Sequence, residues 1–254
     1  MASNPPGQCC VANFPHDGTP KGTLGKIDQI STYFAYPDAG TDTATDSSDT
    51  AILFITDILG IYVNAKLQAD AFAQTLKCTV VMPDLFNGDA IPADAFEKGL
   101  VDLNSWLQKH TVETVDPIIE RTIKYLQEEK QFKKIGAVGY CFGGKYVVRF
   151  LAGQRSTAID AGYIAHPSFV TEDELAAIQK PLAISASETD AIFTRELRHK
   201  SEDILAKTGQ PYQINLFSGV SHGFAVKCEM ETRHHKWSKE QAFAQAIAWF
   251  KEYL

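Results

Sequence analysis

A thiol, a carboxylic acid and an imidazole follow one another along the chain, each just after a segment predicted to be a strand. Cys141 lies in the run G-Y-C-F-G, Asp190 follows the apolar run at 181–187, and His222 follows the run at 212–218. These residue types suit nucleophilic catalysis. Cys141 would attack a carbonyl carbon to form a thioester, and His222 would take the thiol proton and then activate water. Asp190 would hold the imidazole in one tautomer and stabilise its cationic form.

Two glycines flank the cysteine. Gly139 and Gly143 have the spacing of a sharp turn between a strand and a helix, where a larger side chain would clash. Because such a turn points backbone N–H groups toward the atom under attack, we expect the N–H groups of Phe142 and Ile58 to bind an oxyanion. The five-residue pattern alone is weakly specific. The acid and the imidazole downstream make the combination specific.

The rest of the chain predicts the elements that position these groups. Apolar runs bounded by polar residues are typical of strands buried on both faces, and segments with helical spacing separate them. The predicted strands are 27–37 (an edge strand), 51–56, 78–83, 133–139, 161–167, 181–187 and 212–218. The predicted helices are 63–76, 93–108, 115–130 with Pro117 in its first turn, 145–152, 195–207 and 238–254 with Ser238 as its N-cap.

The alternation of strands and helices predicts an α/β fold, a doubly wound and mostly parallel sheet with helices on both faces. We expect a single domain over 24–254 after an irregular lead-in at 1–23, with a polar loop at 38–50. Ligands bind beyond the carboxyl ends of the strands in such sheets. The chain order of nucleophile, acid and base is that of the α/β-hydrolase fold.

Five motifs carry a resemblance to a known family: TDILGIY, MPDLFNGD, GYCFGGKY, SETD and SHGFAVK. With them the chain resembles, from about Gly22 to its C-terminus, the dienelactone hydrolases, also called carboxymethylenebutenolidases, and most of all their fungal branch. The resemblance implies an α/β-hydrolase core with the triad Cys141, Asp190 and His222. It also implies hydrolysis of an enol-lactone or small ester, with no metal and no cofactor.

Two positions depart from the bacterial members of that family. The resemblance implies contact with the resting thiol at Asp57, where those members carry the longer glutamate. It implies a contact with a substrate carboxylate near Lys227, where they carry an arginine, and lysine lacks the planar fork of that side chain. Phe224 is a further candidate for lining the substrate pocket, although aromatic residues near strand ends often serve packing alone.

The sequence leaves open the roles of two acidic residues and of one histidine-containing motif. Glu188 stands two residues before Asp190 and is an alternative partner for the imidazole. Asp84 has the sequence context of a structural turn acid. Adjacent histidines in RHHK, at 233–236, are more typical of a solvated helix face than of a metal site.

The five cysteines are too few, and their number is odd, for a disulfide scaffold, which favours a reducing compartment. We expect Cys9 and Cys10 to belong to a mobile terminus, and Cys78 and Cys228 to be structural. A thiol redox-responsive protein, with Cys141 as the sensor, is one alternative function. No second cysteine lies near Cys141 in sequence to resolve its oxidised form.

The net charge of −7 excludes a broadly basic surface, so we expect no nucleic-acid partner. No apolar run is long enough for a membrane span, and the N-terminus lacks the basic and apolar regions of a signal peptide. We therefore expect no membrane association, a cytoplasmic location, a small lactone or ester as the substrate, and a monomer or homodimer. A catalytically weak small-molecule binder is the other alternative.

Overall fold

The computed structural model describes residues 1–10, 15–37, 49–95, 98, 102–153 and 157–254. The strands are β1 (Thr23–Ile27), β2 (Ile30–Ala35), β3 (Thr50–Ile55), β4 (Thr79–Pro83), β5 (Lys134–Tyr140), β6 (Ala161–Ala165), β7 (Leu182–Thr189) and β8 (Tyr212–Ser221). The helices are α1 (Val63–Leu76), α2 (Leu103–Lys109), α3 (Val112–Lys124), α4 (Phe142–Phe150), α5 (Glu172–Ala176), α6 (Arg195–Thr208), α7 (Phe224–Lys227) and α8 (Arg233–Tyr253). A 3₁₀ turn, Gln8–Cys10, precedes the sheet, and a π-helical turn, Tyr125–Glu129, extends α3.

The strands form one sheet in the order β1-β2-β4-β3-β5-β6-β7-β8. Strand β2 pairs antiparallel with β1 and β4, and all other neighbours are parallel. The carboxyl ends of β5, β7 and β8 therefore lie at the same edge of the sheet, where ligands bind in such folds. This is the α/β-hydrolase fold that the sequence predicts.

Apolar side chains are buried on both faces of the sheet. Ile119 and Val147, from α3 and α4, belong to the hydrophobic cluster on one face, and Phe72 and Phe250, from α1 and α8, to that on the other. Burial of each large apolar side chain contributes about 1.5–3 kcal/mol. These two clusters cover both faces of the sheet.

All seven predicted strands are present, but the sequence missed β1. Its burial pattern is exposed at four of five residues, so it lacks the apolar run that identifies the inner strands. It pairs with β2 as a hairpin and forms the edge of the sheet, so the prediction of 27–37 as an edge strand was wrong. Strand β2 occupies only the centre of that range and lies between β1 and β4. Residues 38–48 of the predicted polar loop lie outside the described residues.

The helix predictions need three corrections. Helix α8 begins at Arg233, so Ser238 lies inside it and is buried; its prediction as an N-cap was wrong. Helix α3 begins at Val112, which puts Pro117 in its interior instead of its first turn. Of the predicted 93–108, the described residues form a helix only from Leu103 onward. The sequence missed the short helices α5 and α7. No helix in the described part of the chain is both long and apolar enough to cross a membrane.

Candidate active site

Cys141 lies on a strained turn between β5 and α4. Its φ of 51° and ψ of −111° put a non-glycine residue in a sparsely populated region of backbone space. Its N–H donates to the carbonyl of Ala165 at 3.2 Å, and its carbonyl accepts from the N–H of Ser168 at 3.0 Å. The loop after β6 thus holds the turn that presents the thiol.

The two glycines are required by close backbone approach. A Cβ on Gly143 would lie 2.2 Å from the carbonyl oxygen of Ile55, and one on Gly139 would lie 2.6 Å from the carbonyl oxygen of Gly143. Real Cβ atoms do not come this close to a backbone oxygen. The glycines let α4 start directly against β3 and β5, as the sequence pattern predicts.

An acid and an imidazole meet beside this turn. His222, which follows β8, has its Nδ1 atom 2.9 Å from Oδ2 of Asp190, which follows β7, and both side chains are almost fully buried. Oδ1 of Asp190 accepts the backbone N–H groups of Ile192 at 2.8 Å and Phe193 at 3.0 Å. The hydroxyl of Ser187 also donates to Oδ2. Every carboxylate oxygen therefore has a fixed partner.

Glu188, the alternative acid, lies elsewhere. Its side chain is exposed and accepts the backbone N–H of Gly219 at 2.7 Å. The structure therefore brings Asp190, and not Glu188, to the imidazole. Asp84 accepts the N–H groups of Phe86 and Gly88, as expected of an acid that shapes a turn.

The thiol and the imidazole favour their charged forms. Burial would raise the pKa of Cys141, but the hydrogen bond with Cys10 and the positive charge of His222 outweigh it and hold the pKa well below that of an ordinary thiol. Burial would lower the pKa of His222, but the Cys141 thiolate and Asp190 raise it to about 10. The hydrogen bond from His222 lowers the pKa of Asp190 against the effect of burial. A thiolate–imidazolium pair is the resting state that these shifts support.

Cys10 is the third residue of this cluster, and its expected place on a mobile terminus was wrong. It is fully buried, with its sulfur 3.2 Å from that of Cys141 and 3.4 Å from Nε2 of His222. Burial and the contact with Cys141 raise the pKa of Cys10 well above the ordinary value. Cys10 is therefore a neutral thiol next to the charged pair.

Backbone hydrogen bonds hold the N-terminal segment, residues 1–10, across the loops that follow β6 and β7. The N–H groups of Ala2 and Ser3 donate to the carbonyl of Val170, and the N–H of Asn4 donates to that of Ile192 at 2.8 Å. The ammonium of Lys227 donates to the carbonyl of Cys10. These contacts place Cys10 over the thiol of a residue 131 positions away.

Asp57 and Lys227 lie next to each other below the segment. Both are buried, and the ammonium of Lys227 is 3.8 Å from Oδ2 of Asp57. Asp57 also accepts the N–H of Leu59 at 2.9 Å and the hydroxyl of Tyr62 at 3.1 Å. Burial raises the pKa of Asp57, while the nearby ammonium opposes this effect. Within the described residues, the hydrogen bonds of Asp57 do not include one with the Cys141 thiol. The negative charge of that thiolate nevertheless contributes to raising the pKa of Asp57.

The predicted oxyanion donors are the N–H groups of two buried residues. Phe142 is the first residue of α4 and Ile58 follows Asp57, and both are buried. Neither N–H has a backbone acceptor within the described residues. Phe224 is buried at the start of α7, where it borders a cavity of about 240 Å³ shared with His222 and Lys227.

The family model for the dienelactone hydrolase family matches residues 38–254. The chain belongs to the dienelactone hydrolase family. Hydrolase pyvD of Aspergillus violaceofuscus is 46% identical over 256 residues, covering 100% of this chain and 99% of that protein. Dienlactone hydrolase 1 of Gibberella moniliformis is 32% identical, with coverage of 100% and 96%. A putative dienelactone hydrolase structure from Klebsiella pneumoniae shares the fold, with a TM-score of 0.68 at 13% identity and coverage of 91% and 98%.

Membership of the dienelactone hydrolase family makes the chain a carboxylic ester or lactone hydrolase. The resemblance stated from the five sequence motifs is thereby confirmed, and so is the α/β-hydrolase fold. The cytoplasmic location, the oligomeric state and the domain boundary at residue 24 stay predictions.

Sequence reasoning missed three residues of this dienelactone hydrolase site. Besides Cys10, the hydroxyl of Ser168 lies 3.6 Å from the sulfur of Cys141. His166 packs edge-on against His222 at 4.9 Å between ring centroids, and neither of its ring nitrogens has a hydrogen-bond partner in the described part of the chain. Burial, together with the charge of His222, lowers its pKa far below the ordinary value, which keeps it neutral. The sequence did contain a signal for the loop after β6, because this loop follows a buried strand at the sheet edge that also carries Cys141.

Donors suited to a soft metal occur within the site itself. The sulfurs of Cys10 and Cys141 and a ring nitrogen of His222 lie within 4.8 Å of one another, and thiolate and imidazole bind zinc or copper. The histidines of RHHK do not form such a cluster: Nε2 of His234 lies 2.6 Å from the carbonyl oxygen of Ser218, and Nδ1 of His235 lies 4.0 Å from Glu229. The resemblance to the family implies that the reaction needs no metal, and this stays a prediction.

Proposed function

We propose that the enzyme hydrolyses its ester or lactone through a thioester on Cys141, with His222 as the acid and base and Asp190 as the group that orients it. One observation carries this proposal: the Cys141 thiol, on a strained strand–helix turn, lies within 4.8 Å of a ring nitrogen of His222, whose other ring nitrogen is 2.9 Å from a buried carboxylate oxygen. This is the geometry of a nucleophile, a base and an orienting acid.

The first half of the reaction forms the thioester. The Cys141 thiolate attacks the carbonyl carbon, and the negative charge moves to the carbonyl oxygen, where the N–H groups of Phe142 and Ile58 stabilise it. The loss of one such donor typically costs about 2.7–4 kcal/mol of barrier. When the tetrahedral intermediate collapses, the imidazolium of His222 protonates the departing oxygen. Asp190 stabilises the cation until that transfer.

The second half restores the Cys141 thiolate. Neutral His222 takes a proton from water, the resulting hydroxide attacks the thioester carbon, and the Cys141 thiolate leaves. The imidazolium that forms is again held by Asp190. Both protonation states of one imidazole are thus used in each turnover.

Enols and phenols suit this site better than simple alcohols as leaving groups. A thiolate whose pKa is lowered is itself readily expelled from a tetrahedral intermediate. The forward reaction therefore requires a leaving oxygen that stabilises negative charge, as in an enol-lactone or aryl ester.

Lys227 and Phe224 are the residues that we assign to substrate contact, and Asp57 is the group that controls Lys227. In the resting site the ammonium is bound to Asp57 and to the Cys10 carbonyl. A substrate carboxylate would compete with these two partners for the same cation. Phe224 would supply an apolar wall of the cavity.

The test is hydrolysis of a panel of enol-lactones and small aryl esters by the wild type and by Cys141→Ala. We expect turnover by the wild type and loss of turnover in the variant, with thioester trapped on Cys141 by mass spectrometry under acid quench. Cys78→Ala, which removes another buried cysteine, is the matched control and should retain activity. Full activity of Cys141→Ala would refute the proposal. A wild type that binds panel members without turnover would support the binder alternative instead.

A further inference from the structure

Two thiols lie in direct contact at the centre of the site, and the hydrolysis mechanism uses only one of them. The sulfurs of Cys10 and Cys141 are 3.2 Å apart, and both residues are fully buried. A disulfide bond needs a separation of about 2.05 Å. The sulfurs must therefore approach each other by about 1.2 Å to form the bond. The backbone segment that carries Cys10 is already held in place by the hydrogen bonds to Val170 and Ile192.

We propose that Cys10 is the resolving cysteine of a reversible redox modification, in which hydrogen peroxide oxidises Cys141 and Cys10 then closes a Cys10–Cys141 disulfide. The inference rests on the proposed function in one respect, namely that Cys141 is the nucleophile whose loss stops turnover. The oxidant is a peroxide, which the structure does not hold and the hydrolase reaction does not supply.

The chemistry balances in two steps. The thiolate of Cys141 attacks one oxygen of hydrogen peroxide, the O–O bond breaks, and sulfenic acid and hydroxide result. The sulfur of Cys10 then attacks the sulfur of the sulfenic acid, the S–O bond breaks, and water leaves. Over both steps the two sulfurs lose two electrons to the peroxide. A small thiol such as dithiothreitol returns them by thiol–disulfide exchange.

The two cysteines have complementary properties for these steps. Cys141 favours the thiolate, which is the form that peroxide oxidises. Cys10 stays a neutral thiol, so it is not itself the first to react. In the second step Cys10 must lose its proton, and Nε2 of His222 lies 3.4 Å from its sulfur.

The oxidation of Cys141 makes the neutral, proton-accepting form of His222 available for the second step. The charge of the Cys141 thiolate is the largest of the effects that raise the pKa of His222. Conversion of this thiolate to a neutral sulfenic acid removes that charge. The imidazolium then gives its proton to the hydroxide released from the peroxide, which becomes water. The neutral imidazole accepts the proton of Cys10, and the Cys10 sulfur is free to attack.

The disulfide would have two consequences. It blocks the nucleophile, so turnover stops, and it prevents further oxidation of Cys141 to the sulfinic acid, which thiols do not reverse. It also ties the N-terminal segment covalently across the site. Cys9, on the same segment and half-buried, is the competing candidate for the resolving thiol, and the pKa of Cys9 is lowered to about 7, chiefly by its hydrogen bond with Cys10.

The experiment treats the full-length wild type with hydrogen peroxide, maps disulfide-linked peptides by mass spectrometry and measures hydrolysis before and after dithiothreitol. We expect a peptide pair joining Cys10 and Cys141, a mass lower by two hydrogen atoms, and loss of activity that dithiothreitol recovers. Cys10→Ser should lose activity without recovery and gain two oxygen atoms on Cys141. Cys9→Ser, the matched control, should behave as the wild type. Each variant is compared with its own untreated activity.

Three outcomes would overturn the proposal: no Cys10–Cys141 peptide in the oxidised wild type, full recovery in Cys10→Ser, or loss of recovery in Cys9→Ser alone. The peptide map on the wild type decides the question even if Cys10→Ser fails to fold. It is also independent of the proposed function. A linked peptide in a protein without Cys141-dependent turnover would sink the hydrolysis mechanism and leave the disulfide standing, whereas turnover without a linked peptide would do the reverse.

Discussion

Replacing Asp190 with asparagine separates the charge of the acid from its shape. Oδ1 of Asp190 accepts two backbone N–H groups, from Ile192 and Phe193. In Asp190→Asn the side-chain oxygen must stay at that position, because the amide nitrogen is a donor and would face two donors there. The amide nitrogen is therefore forced toward Nδ1 of His222. It stabilises the tautomer in which Nδ1 carries no proton, and it disfavours the imidazolium.

The size of the effect follows from the geometry. With an effective dielectric constant of about 20, Coulomb's law gives about 6 kcal/mol for unit charges at the 2.9 Å of the Asp190–His222 contact. At about 1.4 kcal/mol for each factor of ten, the charge loss corresponds to at most about 10⁴-fold in rate. We expect kcat/KM to fall by roughly 10³- to 10⁴-fold, the range expected when an orienting carboxylate is made neutral.

The assay is steady-state hydrolysis of the best aryl ester from the panel across pH, with circular dichroism to verify folding. Because the pKa of His222 is raised to about 10 partly by Asp190, the alkaline limb of the Asp190→Asn profile should move to lower pH. Glu188→Gln is the matched control and should stay within about twofold of the wild type, since its carboxylate is exposed. A folded Asp190→Asn variant that keeps more than a tenth of the activity would refute the reasoning.

Two further predictions concern the charge state and the turn. Iodoacetamide should alkylate Cys141 rapidly at pH values well below the ordinary thiol pKa, because a thiol with a lowered pKa is still a thiolate there. The value of kcat/KM should stay constant up to about pH 10, where His222 loses its proton. A rate of alkylation that rises only near pH 8–9, where free thiols ionise, would contradict this. Gly143→Ala should lower stability by about 1–3 kcal/mol or more, because the new Cβ would lie 2.2 Å from a carbonyl oxygen of β3. Thermal unfolding measures it beside Gly7→Ala, whose Cβ would have no neighbour closer than 4.0 Å; equal melting temperatures would show that the turn tolerates a side chain.

The inner strands were predictable because each is buried on both faces and so appears as an unbroken apolar run, as in 51–56 for β3. The approach of Asp190 to His222 followed from the same reasoning, since parallel neighbours end at one edge. Strand β1 gave no such signal because it is mostly exposed. The predicted first residue of helix α8 lay too far along the chain, because the first turn of the helix carries the polar residues RHHK and the apolar pattern begins only after them.

The position of Cys10 was not predictable from local pattern. It depends on backbone hydrogen bonds of Ala2, Ser3 and Asn4 to the loops after β6 and β7, and a backbone N–H leaves no trace in the sequence. A segment rich in proline and small residues is typical of an irregular terminus. The same composition also fits a terminus that packs against a neighbouring surface, as residues 1–10 do here. Only the pair of adjacent cysteines at 9–10 distinguished this lead-in from any other.

The shorter acid at position 57 and the buried Cys10 are connected in this structure. The resemblance to bacterial dienelactone hydrolases implies a glutamate in contact with the resting thiol. Here Asp57 is engaged by Leu59, Tyr62 and Lys227, while the contact with the Cys141 sulfur comes from Cys10 at 3.2 Å. The Cys141 thiol is therefore contacted by a neutral thiol and not by the carboxylate of Asp57, and Lys227 links Cys10 to Asp57. If a substrate carboxylate binds Lys227, as we propose, it competes with the Cys10 carbonyl for the ammonium and so removes one of the contacts that hold the N-terminal segment over the Cys141 thiol.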